Sequence, residues 1–136
     1  MLAIELAGIF KSYGPLKALN GLSLNVPQGC LYGLLGPNGA GKSTTIRIIC
    51  TLLAPDSGVV EVAGINALSN PRAVRNEIGY VAQEVAIDKI LTGRELLNLQ
   101  GDLYHQTSSY RNERIKKLID QLSMQDWIDR RCGTYS

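Results

Sequence analysis

Gly36-Pro37-Asn38-Gly39-Ala40-Gly41-Lys42-Ser43-Thr44 is the stretch from which the fold is read. It satisfies the pattern G-x-x-x-x-G-K-[ST], a loop that leads from a strand into a helix and holds phosphate. The chemistry makes specific demands. Phosphate groups concentrate negative charge, so a binding loop must turn several backbone N–H groups inward, in conformations that glycine tolerates and bulkier residues resist. Gly36, Gly39 and Gly41 supply that freedom. A helix start just beyond adds free N–H groups and the positive end of a dipole. Lys42 offers a mobile positive charge to the outer phosphates, and Ser43 a hydroxyl for Mg²⁺, which takes few protein ligands. A dinucleotide fingerprint fits worse, because Thr44 stands where its third glycine belongs.

The surroundings agree. Before the loop, Leu31-Tyr32-Gly33-Leu34-Leu35 is an apolar run without alternation, which predicts a strand buried on both faces, as in a parallel sheet covered by helices. After Gly41 the period changes to that of a helix, with Ile46, Ile49, Cys50 and Leu53 on one face and Ile48 and Leu52 on a second, so this helix is expected to be well buried. Further upstream, Ala3–Lys11 and Leu19–Val26 read as strands separated by Gly14-Pro15, with Leu22, Leu24 and Val26 opposite Ser23 and Asn25. Downstream, Pro55-Asp56-Ser57-Gly58 is a turn and Val59–Val62 a strand segment ended by Gly64. A short helix is expected after Asn70-Pro71, and Ile78–Val81 as another buried strand.

The final third reads as helical. Thr92-Gly93-Arg94-Glu95 is a capping box, followed by Leu96, Leu99 and Leu103 as one face. Ile115, Leu118, Ile119 and Leu122 mark the next helix, and Arg111, Arg114, Lys116 and Lys117 read as its solvated side. Over 136 residues, fourteen Lys and Arg against twelve Asp and Glu give a net charge of +2, which predicts no nucleic acid or other polyanionic partner. The three cysteines, Cys30, Cys50 and Cys132, are odd in number and widely spaced. They fit neither a disulfide framework nor a zinc site and are expected as buried or half-buried thiols, with a reducing compartment implied. No apolar run reaches the roughly 20 residues of a membrane-spanning helix, and the N-terminus lacks the pattern of a signal peptide.

In this wording the loop resembles the Walker A motif of ABC-transporter ATPase domains. Three further stretches carry the same resemblance. Lys11-Ser12-Tyr13-Gly14 is similar to the family's aromatic loop, with Tyr13 at the position that stacks on adenine. Ile78-Gly79-Tyr80-Val81-Ala82-Gln83-Glu84 is similar to its Q-loop, with Gln83 as the glutamine that reaches Mg²⁺ and the γ-phosphate side. Arg130-Arg131-Cys132-Gly133-Thr134-Tyr135-Ser136 resembles the lead-in to the signature motif, in the form seen in the daunorubicin-resistance-like branch, with Ser136 as the signature serine.

The resemblance implies an α/β fold, a partial P-loop NTPase core with an antiparallel β-subdomain and the start of a helical subdomain. It divides the chain into a nucleotide-binding β and P-loop core at 1–86 and a helical subdomain at 87–136. ATP and Mg²⁺ are the implied cofactors, held by Tyr13, Gly36, Pro37, Asn38, Gly39, Ala40, Gly41, Lys42, Ser43, Thr44 and Gln83, with Ser43 and Gln83 at the metal and Lys42 and Gln83 as the catalytic groups. The implied partners are a transmembrane permease docking near the Gln83 loop and the helical subdomain, and a second ATP-binding domain arranged head to tail. The implied location is the cytoplasmic face of a membrane. Walker B, the catalytic glutamate and the switch histidine follow the signature in that family, so the chain as written is expected not to hydrolyse ATP alone, and to be marginally stable for want of a sheet neighbour. His105 precedes the signature and cannot be the switch. A non-catalytic nucleotide-binding or interaction fragment, and a split-head chromosome or repair ATPase, are the alternatives. A GTPase is disfavoured by the lack of an Asn-Lys-x-Asp segment, and a small-molecule kinase by the strands ahead of the loop.

Overall fold

The computed structural model describes residues 1–82 and 88–135. The chain forms two compact units, Met1–Val81 and Ala82–Ser136. The first is built on a four-stranded antiparallel sheet. Strands β1 (Leu2–Tyr13) and β2 (Leu16–Pro27) form a long hairpin closed by Gly14-Pro15, with Tyr13 paired to Leu16 at its tip. Gly14 takes φ +57°, as a tight two-residue connection needs at its first position. Strands β3 (Ser57–Val62) and β4 (Ile65–Asn66) complete the order β2-β1-β3-β4. Ala63 and Gly64 both have positive φ, the geometry of the hairpin turn whose twist matches its strands.

Helices α1 (Lys42–Ile49) and α2 (Pro71–Glu77) close one face of this sheet. The core joins Leu6, Ile9 and Leu19 of β1 and β2, Val60 and Val62 of β3, Ala67, Ile48 of α1 and Val74 of α2. Leu22, Leu24 and Val26 turn inward and Ser23 and Asn25 outward, as the alternation predicts. Asn70 precedes α2 and Pro71 opens it, where a missing N–H costs nothing.

Three expectations for this unit are corrected. Helix α1 ends at Ile49, and Thr51 at φ +57° breaks the helical path, so Cys50 and Leu53 lie beyond it. Its buried residues are Thr45 and Ile48, whereas Ile46 is 41% exposed. Thr45 was invisible to an apolar period: its hydroxyl is buried by donating to the Gly41 carbonyl at 2.9 Å. Leu31–Leu35 forms no strand; Leu31 and Leu35 are 104% and 92% exposed. Ile78–Val81 likewise joins no ladder, although Ile78 packs on the core. A strand buried on both faces needs a neighbour along each edge. Among the described residues every ladder is antiparallel, and none includes these two runs.

The second unit centres on α3 (Gly93–Leu103) and α4 (Ser108–Gln121), with Ile115, Ile119 and Ile128 as its core and Leu97 and Met124 against it. The capping box is present: Glu95 N–H donates to Thr92 Oγ1 at 3.2 Å, and Thr92 N–H to Glu95 Oε2 at 2.8 Å. The Leu96, Leu99, Leu103 face is a further correction. Helix α3 instead buries Gly93 and Gly101, four residues to either side of the half-buried Leu97. The two glycines let bulky neighbours come close; the stem of Arg111 lies against Gly101, and its guanidinium pairs with Asp102. Leu99 and Leu103 remain exposed. On α4, Ile115 and Ile119 are buried, Arg114, Lys116 and Lys117 are solvated as expected, Arg111 is not, its side chain being only 15% exposed against α3, and Leu122 is exposed.

Beyond α4, Ile128 and Asp129 dock on the start of α3. Arg94 N–H donates to the Ile128 carbonyl, and its guanidinium grips both Asp129 oxygens at 2.6 and 3.0 Å. A short 3₁₀ turn, Cys132–Thr134, leads to Tyr135, whose ring meets Trp127 edge-on at 4.9 Å. Among the described residues, no helix is long and apolar enough to cross a membrane. All three thiols are free; Cys132 is buried and Cys50 half-buried, but Cys30 is exposed, contrary to expectation.

Candidate functional site

The loop from Gly36 to Thr44 is assembled by local chemistry. Ala40 N–H donates to the Pro37 carbonyl at 3.2 Å, closing a turn over Pro37–Ala40, and Gly39 at its third position has φ +84°. A turn of that shape favours glycine there. Gly41 is the residue on which α1 starts, at φ +84° and ψ +3°. A Cβ on Gly41 would stand 2.6 Å from both the Ala18 carbonyl oxygen and Leu19 Cδ2. Conformation and space therefore both demand glycine, and that contact seats the loop against β2.

Helix α1 opens at Lys42, so the N–H groups of Lys42, Ser43 and Thr44 lie in its first turn, where no preceding helical carbonyl can take them. The first-turn residues carry no acidic side chain to compete for them. Lys42 folds back over the loop: its ammonium donates to the carbonyls of Gly36 at 2.6 Å and Pro37 at 2.7 Å. Pro37, Asn38, Gly39 and Ala40 are exposed, as is Ser43, so the loop's outer rim and the hydroxyl are open to solvent. Donors, a positive helix end and an ammonium converge on one exposed loop, the set that an anion of several charges requires. The cradle admits no added Cβ at Gly41, and its donor set fits phosphate. Ser43 is the first-turn residue with an exposed hydroxyl to offer Mg²⁺.

Tyr13 lies at the tip of the β1–β2 hairpin and is 46% exposed. The ladder relates it to the loop. Lys11 pairs with Leu19, the residue that touches Gly41, then Ser12 with Lys17 and Tyr13 with Leu16. Tyr13 thus sits two pairs along from the row under the loop, about 7 Å at strand spacing. Gln83 and Ser136 lie outside the described residues. Among the described residues no cluster of His, Cys, Asp or Glu is placed to hold a metal ion.

Sequence reading passed over three contributors: Thr45, the carbonyls that hold Lys42, and Asp56. Asp56 accepts from Lys11 Nζ at 2.8 Å and from Ser12 N–H at 2.7 Å. Those contacts hold its carboxyl below the usual carboxylate range, the Lys11 hydrogen bond foremost and the Ser12 N–H next. A turn aspartate gave no hint of a partner 44 residues earlier.

The family model described as ABC transporter matches residues 19–136. Daunorubicin/doxorubicin resistance ATP-binding protein DrrA of Streptomyces peucetius is 46% identical over 134 residues, covering 98% of this chain and 41% of that protein. Nod factor export ATP-binding protein I of Rhizobium sp. (strain N33) is 38% identical, over 98% of this chain and 44% of its own length. The chain therefore spans less than half the length of these curated relatives. Among solved structures, an ATP-binding subunit of an ABC transporter superposes with a TM-score of 0.80 at 25% identity, covering 98% of this chain and 56% of that one. An ATP-binding cassette of an ABC transporter superposes at 0.83 with 28% identity, covering 100% and 60%.

Proposed function

This chain belongs to the ABC transporter family, and from that premise we propose that its Gly36–Thr44 loop binds the phosphates of ATP with Mg²⁺, as the nucleotide-binding part of a transport ATPase. The observation that carries the proposal is the closed loop with two left-handed glycines, whose lysine ammonium already bridges Gly36 and Pro37 at hydrogen-bond distance.

The residues divide the work. Backbone N–H groups of Gly39 and of Gly41 to Thr44 orient the phosphates, aided by the dipole of α1, while the Ala40 N–H closes the turn on Pro37. Lys42 exchanges its two carbonyl partners for phosphate oxygens, so its charge arrives with little reorganisation. Ser43 Oγ is the hydroxyl that would hold Mg²⁺, which when bound would supply charge neutralisation to the phosphates. Tyr13 presents a half-exposed ring for the base. Gln83 belongs to this proposal through the resemblance of its surroundings to the Q-loop.

None of these groups is a carboxylate able to act as base toward water, so the 136-residue chain is proposed to bind ATP without turnover. Hydrolysis and its coupling to transport are proposed for the complete ATPase, paired head to tail with a second ATP-binding domain. A membrane permease docked near the Gln83 loop and the helical subdomain is the proposed transport partner. The DrrA proteins and the Nod factor export proteins favour this reading over a chromosome or repair ATPase, and the proposed location is the cytoplasmic face of the membrane.

Calorimetric titration with Mg-ATP tests the binding step. The wild-type chain is expected to bind, and Lys42→Ala to lose about tenfold or more in affinity, the equivalent of about 1.5–3 kcal/mol for charged hydrogen bonds. Equal binding by the two proteins would remove the loop from the site.

A further inference from the structure

One carboxylate in the first unit makes contacts that neither the sheet nor the phosphate loop requires. Asp56 lies just ahead of β3, and three bonds tie it to three consecutive residues of β1. Its N–H donates to the Phe10 carbonyl at 2.8 Å, its Oδ1 accepts from Lys11 Nζ at 2.8 Å, and its Oδ2 accepts from Ser12 N–H at 2.7 Å. The next residue is Tyr13.

The placement matters because β1 loses its second neighbour there. Pairing of β1 with β3 ends at Phe10 and Ser57, so Lys11, Ser12 and Tyr13 are paired with β2 alone. The β1–β2 register also shifts twice in this stretch, between Ile9 and Phe10 and between Lys11 and Ser12. An irregular two-stranded tip is weakly ordered by itself. Asp56 takes the place of the missing strand: its side chain accepts the Ser12 N–H that a third strand would have used, and the Lys11 stem is drawn to the same carboxylate. The Lys11 side chain is 15% exposed and that of Asp56 45%, so solvent screens the charge pair in part and the Ser12 N–H bond shares the hold.

We propose that Asp56 is a positioning residue for Tyr13, which holds the hairpin tip so that the tyrosine ring is ready to stack on the nucleotide base and thereby sets the preference for ATP over a bare triphosphate. The inference rests on the reading of Tyr13 and the phosphate loop given above. A ring already held in its binding pose gives up less freedom on binding. A stacked base contributes about 5- to 150-fold in affinity, and Asp56 governs part of that factor.

The test compares Mg-ATP with Mg²⁺-loaded inorganic triphosphate, by calorimetry, for the full 136-residue chain. Asp56→Ala is expected to weaken ATP binding by about 3- to 10-fold, a fraction of the stacking factor, while triphosphate binding stays within twofold. In a Tyr13→Ala background the same change is expected to add no further loss for ATP. Amide exchange at Ser12 is expected to quicken in Asp56→Ala, with that of the core strands unchanged. Asp56→Asn carries the test if the alanine variant does not fold: it keeps an acceptor for Ser12 but no charge for Lys11, and its ATP-to-triphosphate preference is expected to fall at least twofold. An unaltered preference in both variants overturns the proposal, as does an equal loss for ATP and triphosphate. ATP binding that depends on Lys42 but not on Asp56 overturns this inference alone. ATP binding indifferent to Lys42 overturns the phosphate-loop reading and this inference with it.

Discussion

At the scale of single residues, Gly41 bears two constraints at once. Its φ of +84° costs an L-residue about 1–2 kcal/mol, and a Cβ would press on the Ala18 carbonyl and Leu19. Gly41→Ala is therefore expected to destabilise the first unit by about 2–4 kcal/mol, read by denaturant unfolding, and to weaken phosphate binding as well. A variant as stable as wild type would mean that the loop reaches α1 by another path. The glycine pattern was legible in the sequence because backbone conformation is local. The hold of Gly36 and Pro37 on the Lys42 ammonium was not, since carbonyl direction follows from the folded turn. Nor was Asp56, whose partners come from the other end of a long hairpin.

Among the elements, caps were read more faithfully than faces. The Thr92–Glu95 box depends on four adjacent residues and is present as expected. Thr92→Ala is expected to cost about 1 kcal/mol, and to speed amide exchange in the first turn of α3 about fivefold if that turn opens alone. Exchange unchanged by the substitution would count against the cap. The faces of α1 and α3 were misread because which side of a helix is covered depends on its neighbours. On α3 the packing stripe is Gly93, Leu97 and Gly101, where small residues admit close partners and carry no apolar signal. The carboxylates at these junctions also predict a pH response. Asp56 is held low by Lys11 and Ser12, Glu95 by the Thr92 N–H and hydroxyl, and Asp129 by Arg94. A carboxylate whose folded pKa lies below its unfolded value binds fewer protons when folded, so its stabilisation is complete above the ordinary range. Stability is expected to hold above about pH 5 and fall as pH drops below about 4. A midpoint that rises through that acid window would contradict these contacts.

For the molecule as a whole, the antiparallel sheet was within reach of the sequence, whereas the two apolar runs at Leu31–Leu35 and Ile78–Val81 were read for strands that need neighbours. Residues such as Leu31, Leu35 and Val81 leave apolar surface open, a source of self-association. Leu31→Lys is expected to reduce association while changing stability by less than about 0.5 kcal/mol. The thermal midpoint of the chain is expected at or below the mesophile range of about 45–65 °C; a cooperative transition far above it would contradict marginal stability. The central claim is that one loop in this chain holds nucleotide phosphate, and amide resonance mapping during a Mg-ATP titration tests it most directly. The account predicts saturable shifts at Gly36 to Thr44, led by the amides of Gly39, Gly41, Lys42 and Ser43, with Tyr13 following for ATP and not for triphosphate. Saturable shifts confined to other residues, or none at nucleotide concentrations that saturate ordinary ATP sites, would contradict it.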